Sequence, residues 1–172
     1  MFIGAYWSER EESKEAAARR ISQYLVAIGK QFDDFATWYN LGNSRAEALR
    51  SPVSVNAESI ASNLSVNRRD SDRQPIPELG FQFSAWNGKN VSFSADIGSY
   101  SQYVINSVVL DSDALELKMS RTLLDEIIRA FDPEHAVFAS DEHLAQTGAE
   151  KPWHTGWLTY ERGETVRQHK LP

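Results

Sequence analysis

Between Leu79 and Leu110 the chain alternates apolar with polar or small residues twice over, first through Phe81, Phe83 and Ala85 and then through Val91, Phe93, Ala95 and Ile97. A period of two sends successive side chains to opposite faces of a strand, so each run needs a core on one side only. Trp86-Asn87-Gly88-Lys89 separates the runs, and Asn-Gly suits a hairpin because both residues tolerate positive φ. A third run, Tyr103 to Leu110, carries the β-branched Val104, Val108 and Val109, which favour strands. Lys89 and Asp96 are the only charges in the whole stretch. Three such runs in succession predict an antiparallel meander at the centre of an α+β fold, in a sheet of about five to seven strands.

Helices must cover that sheet, and three segments have the spacing to do so. Ser8-Glu9-Arg10-Glu11 has the form of a capping box, and Ala17, Ile21, Tyr24, Leu25 and Ile28 share one face behind it. A helix is expected near 9–28, with Gly29 as its stop. Phe32, Phe35 and Trp38 are three apart and predict a further helical turn, followed by a short helix behind the second capping box, Ser44-Arg45-Ala46-Glu47. Asn56 is placed to cap a helix over 57–66 that buries Ile60 and Leu64. Leu123, Leu124, Ile127, Ile128 and Phe131 make the apolar face of a helix near 121–131, capped by Ser120 and ended by Asp132-Pro133. Phe2–Trp7, His135–Ala139 and 156–160 read as additional strands, and Thr165-Val166-Arg167 as a possible return strand. Residues 67–78, with two prolines and no periodicity, read as an exposed loop, and 168–172 as a frayed tail. The 172 residues suit one domain, 1–172.

Charge is unevenly placed. The net charge is −6, yet residues 111–150 alone carry ten acidic against three basic side chains, a balance of −7. An acidic run is ordinarily a solvated face. Its sharper reading is a docking surface that attracts a basic partner at long range, and phosphate repulsion makes nucleic acid a poor candidate for that partner. Asp111, Asp113, Glu116, Asp132, Glu134, Asp141 and Glu142 are the candidate contact residues. Among the five tryptophans, Trp86 at the hairpin and Trp153 beside Pro152 are the expected exposed anchors, the others belonging to the core. The chain has no cysteine, which removes disulfides, thiolate nucleophiles and Cys-based metal cages and fits a cytoplasmic location. The N-terminus lacks the pattern of a signal peptide, and no window approaches the ~20 apolar residues of a membrane span.

Catalytic chemistry finds little footing. His135, His143, His154 and His169 include no pair at metal-ligand spacing on a helix, and nucleophile-elbow, dinucleotide and phosphate-loop patterns are absent. Asp132, His135 and His143, with Asp111 or Asp113, are the one set that a fold could gather into a metal or acid–base centre, but no spacing singles them out. No cofactor is expected. A small-molecule or carbohydrate-binding domain, or a minor hydrolase built on the His/Asp set, is the rival reading, and a homodimeric scaffold subunit is a third.

In order along the chain stand Ile3-Gly4-Ala5-Tyr6-Trp7, Trp38, Ser44-Arg45-Ala46-Glu47-Ala48-Leu49, Glu78-Leu79-Gly80-Phe81, Trp86-Asn87-Gly88, Asp132-Pro133 and Gly156-Trp157-Leu158-Thr159-Tyr160. This ordered set, covering residues 2 to about 160, resembles the immunity protein 52 family of bacterial polymorphic-toxin systems. The resemblance implies a non-enzymatic α+β protein that binds and neutralises a cognate toxin encoded beside it. It implies toxins that include nucleases of the restriction-endonuclease type, delivered by secretion systems such as type VI. It brings no catalytic motif. Blockade of the toxin's active site and binding at an exosite or oligomer interface both satisfy the sequence.

Overall fold

The computed structural model describes residues 1–66, 74–113, 115–140, 142 and 156–169. Its elements are, in chain order, β1 (Phe2–Trp7), α1 (Lys14–Gln31), β2 (Trp38–Asn40), α2 (Arg45–Ala48), β3 (Pro52–Val53), α3 (Ala57–Asn63), β4 (Ser65–Val66), β5 (Phe81–Trp86), β6 (Val91–Ile97), β7 (Asn106–Ser112), α4 (Leu117–Phe131), β8 (His135–Ala139), β9 (Leu158–Glu161) and β10 (Arg167–Gln168). The expected α+β architecture is present. The ten strands form one antiparallel sheet in the order β10-β9-β8-β1-β7-β6-β5-β2-β3, with β4 also on β5. It is larger than the five to seven strands expected because β2, β3 and β4 are pieces of two or three residues that no periodicity could reveal, while the return strand expected at 165–167 is present as β10. No helix among the described residues is long and apolar enough to cross a membrane.

Alternation decides the packing. Ile3, Ala5 and Trp7 of β1 face the large core together with Phe83 and Ala85, Phe93, Ala95 and Ile97, and Val108 and Leu110 of the meander. Against them lie Ala17, Ala18, Ile21, Tyr24, Leu25 and Ile28 of α1 and Leu123, Leu124, Ile127 and Phe131 of α4. Rings tie the layers: Phe131 stacks on Trp7 with centroids 6.0 Å apart, and Tyr24 meets both Phe131 and Phe93 at 5.8 and 5.7 Å. On the opposite face of the sheet, Phe2, Val137 and Ala139 form a small second cluster, with Tyr6 and Val109 packed on it.

Several boundaries differ from expectation, each for a local reason. The first helix begins at Lys14 and not Glu9, because Ser13 caps it by accepting from Ala16 N–H, while the Ser8 hydroxyl is committed to Glu134. Gly29 does not stop this helix; a Cβ there would lie 2.9 Å from the Phe35 carbonyl, so the missing side chain lets the following turn pack close. Trp38 leaves the helical pattern for a strand, its indole N–H donating to the Phe35 carbonyl. The 57–66 helix ends at Asn63, and Ser65–Val66 joins β5 instead. The helix expected from 121 starts at Leu117, so Ser120 is buried inside it and donates to the Leu117 carbonyl. Asp132 ends it with φ 46°, a left-handed conformation that Asp visits more readily than most residues. Ser44 and Asn56 cap as expected. Residues 67–73 and 170–172 lie outside the described residues, while Gln168 belongs to β10 and His169 N–H donates to the Trp157 carbonyl, so that part of the expected tail is held.

The hairpin between β5 and β6 is built differently from a two-residue turn. Asn87 has negative φ and only Gly88, at +82°, is left-handed. The buried Asn87 Oδ1 accepts from the backbone N–H of Lys89, Asn90 and Val91, and its Nδ2 donates to the Asp34 carbonyl. Asn87→Ala is expected to cost about 2 kcal/mol, chiefly by orphaning the buried Val91 donor; an unchanged denaturation midpoint would contradict this. At the other end of the sheet, Glu134 accepts from Ser8 N–H at 3.0 Å and from the Ser8 hydroxyl at 2.6 Å. The Ser8 hydroxyl, then its N–H, with Arg162 and His135 nearby, hold the Glu134 carboxyl below its ordinary 4.5. A depressed folded pKa contributes stability above the unfolded value that is lost as pH falls through the folded one. The stability gap between the protein and Glu134→Gln should therefore be full near neutral pH and close below pH 4.5 in urea titrations.

Candidate partner-binding surface

The acidic segment does not form one face. It brackets α4, whose 15 residues at 1.5 Å per residue separate its two ends by about 22 Å. Asp111, Asp113 and Glu116 are exposed at the N-terminal end, where Asp111 is 3.9 Å from the chain's amino group and Glu116 is 2.7 Å from Lys118. The register places Asp111 opposite Ser92 and Ser92 opposite Trp86, so Asp111 and Trp86 stand in one cross-strand row on the sheet face away from the helices. Trp86 is half-buried there. The ring of Tyr39 flanks it at 6.4 Å, and the Arg45 guanidinium lies 5.7 Å from its centroid. The expected tip tryptophan is thus a braced edge of the open face.

The C-terminal end of α4 carries Asp132 and Glu134. Three arginines converge on its terminal carbonyls: Arg20 on Ala130 at 3.0 Å, Arg10 on Phe131 at 2.6 Å and on Asp132 at 3.1 Å, and Arg162 on Asp132 at 2.6 Å. Cations there satisfy orphan carbonyls and oppose the negative end of the helix dipole. Glu12 binds two of them, Arg10 at 2.8 Å and Arg20 at 3.1 Å, and Arg10 lies over the Trp7 ring at 4.6 Å. Burial pulls the Arg10 pKa below its ordinary value, opposed by the neighbouring charge of Glu12. The Asp132 carboxylate stays exposed, 3.8 Å from Arg162.

Between the two ends, Lys118, Arg121 and Arg129 are exposed along α4 and pair within the helix segment, with Glu116, Asp125 and Glu126. All three basic residues of the acidic segment therefore separate its two acidic ends. Glu142 is exposed; Asp141 and Trp153 lie outside the described residues.

The proposed meeting of acids and histidines is not made. His135 pairs with Tyr6 at one end of β1 and Asp111 pairs with Phe2 at the other, so Asp111 and Asp113 cannot join Asp132 and His135. His143 and His154 lie outside the described residues. His135 instead lines a polar recess of about 160 Å³ with Thr159, Glu161 and His169, in which Thr159 Oγ1 and His169 Nε2 are 2.8 Å apart. Ligand pockets usually run from about 300 Å³ upward. Among the described residues no three His, Asp or Glu side chains are grouped to hold a metal ion.

Sequence reasoning missed one surface feature altogether. The third strand was expected from Tyr103, but β7 starts at Asn106, because its partner β1 ends at Trp7 opposite that residue. Tyr100, Tyr103 and Ile105 are left exposed on the loop joining β6 to β7. The signal lay in the sequence as apolar residues following Gly98-Ser99, where strand chemistry and loop chemistry overlap.

Among curated proteins none matches the chain. The family model described as Immunity protein 52 matches residues 1–167, nearly the full length, and the chain belongs to that family.

Proposed function

We propose that this protein neutralises a cognate secreted toxin by binding it in the cytoplasm, and that the toxin is a nuclease of the restriction-endonuclease type. The membership of residues 1–167 in the immunity protein 52 family carries the reading. It acts as a stoichiometric binder and needs no catalytic group. A nuclease cleft is lined by cations for phosphate, and an acidic surface is drawn to such a cleft faster than a neutral one.

The acids divide between two patches, Asp111, Asp113 and Glu116 at one end of α4 and Asp132 and Glu134 at the other, with a basic stripe between them. The toxin docks at one patch. Covering the catalytic centre, which excludes DNA, and gripping an exosite or an oligomer interface of the toxin both follow from such docking.

The test uses the toxin encoded beside this chain, in a catalytically inactive form, and cells expressing the active form. Co-expression should rescue growth. Reversing Asp111, Asp113 and Glu116 together, and separately Asp132 with Glu134, should slow association about tenfold for one group and leave the other unchanged, with the salt dependence of the rate flattened in the affected variant. Rates and salt slopes unchanged in both would overturn acidic docking; failure to rescue would overturn the function itself.

A further inference from the structure

The loop of residues 98–105 is unusual for a surface connection because it is rigid and apolar together. Tyr103 is 84% exposed, Ile105 50% and Tyr100 42%, three large apolar side chains within six residues. Scattered single hydrophobes on a surface are ordinary, whereas three large ones on one short loop make it a candidate interaction site.

The backbone beneath them is fixed. Asn106 is wholly buried; its Oδ1 accepts from Ser99 N–H at 2.8 Å, and its Nδ2 donates to the carbonyls of Ser99 and Ser8 at 3.0 and 2.8 Å. The Ser99 hydroxyl and Tyr100 N–H both donate to the Glu78 carbonyl, and Arg10 N–H donates to the Ser99 carbonyl. Val104 N–H closes the tip on the Ser101 carbonyl at 3.1 Å. A loop already held in one conformation loses little entropy when its side chains are gripped.

Its surroundings define the partner. The segments that hold the loop bring Glu9, Glu11 and Glu78 to its flanks, all exposed and, among the described residues, in no ion pair. Beyond them lie Glu134, which accepts from the Ser8 hydroxyl, and Asp132, whose backbone carbonyl accepts from Arg10, with Arg162 beside both carboxylates. An apolar centre with an acidic rim is the complement of an apolar cleft with a basic rim. A second copy of this chain offers no such match, since the loop's rim would face its own negative charges.

We propose that Tyr100, Tyr103 and Ile105 are the apolar anchor that holds the toxin, seated in an apolar cleft of a basic protein surface at the Asp132 end of α4. The inference rests on the binding function proposed above and adds the place where the complex is held. Buried aromatic anchors set how slowly a complex dissociates, while the charged rim sets how fast it forms.

The probe is the inactive toxin encoded beside this chain. Tyr103→Ser with Ile105→Ser should raise the dissociation rate more than tenfold and leave the association rate within about threefold, with an unchanged circular dichroism spectrum, since both side chains are exposed. In the unaltered protein, the amides of 100–105 should gain hydrogen-exchange protection when the toxin is added, a readout independent of any variant's folding. An unchanged dissociation rate, or no added protection, overturns the anchor while toxin binding by the unaltered protein keeps the function intact. A dimer that the double variant dissolves, with toxin dissociation unchanged, also overturns it and assigns the loop to self-association. No binding by the unaltered protein overturns the underlying function as well.

Discussion

The C-terminus of α4 is where the chain's distant parts are joined, and arginine makes the joint. A helix end leaves carbonyls without partners, and here the carbonyls of residues 130, 131 and 132 receive Arg20, Arg10 and Arg162. These arginines come from α1, from the strap before it and from the turn after β9, so a single helix terminus fixes three segments. A planar guanidinium serves two carbonyls and a carboxylate from one rigid fork, as Arg10 does, a geometry that a lysine ammonium does not hold. Glu12 then ties Arg10 to Arg20, with its own side chain nearly buried, so removing it would leave two neighbouring cations facing each other.

That joint explains where the sequence was readable and where it was not. The meander, the apolar stripe of α1 and the face of α4 were legible because alternation and helical spacing are local signals that tertiary packing then rewards. Ser44 and Asn56 were legible for the same reason: their hydroxyl and amide caps act within three residues. Ser8 was misread because its form is that of a cap, and only the folded chain shows Glu134, 126 residues away, accepting its hydroxyl. The start of β7 was misread because strand chemistry continues back to Tyr103, while the end of the ladder is set by β1 turning away after Trp7. No local pattern contains that information.

The candidate surface was legible as charge and illegible as geometry. The excess of acid in residues 111–150 was plain, but composition does not say that α4 would thrust it to two ends. Trp86 was expected at a free tip, and the pairing of Tyr39 with Trp86 puts a neighbour beside it instead. Tyr103 and Ile105 were read into the third strand because exposed apolar groups have no signature apart from the core they fail to join.

Electrostatics narrows how a toxin could sit on this surface. A standard interface covers about 800 Å² of each partner, roughly 30 Å across, wide enough to span α4 from end to end. Such a footprint would have to lie over Lys118, Arg121 and Arg129, which run along the exposed side of that helix. Each is paired within the helix segment, yet a basic partner pressed against them would still lose the solvent that screens them. Docking at one end avoids that penalty and uses only acids. Of the two ends, the Asp111 end offers a braced Trp86 and a sheet face of serines, whereas the Asp132 end offers an apolar loop locked by Asn106 and by the Arg10 backbone N–H on the Ser99 carbonyl. Affinity grows from buried apolar centres and from preorganisation more than from charge alone. The end of the molecule that most needs to be rigid for the fold is thus also the end best prepared to hold a partner.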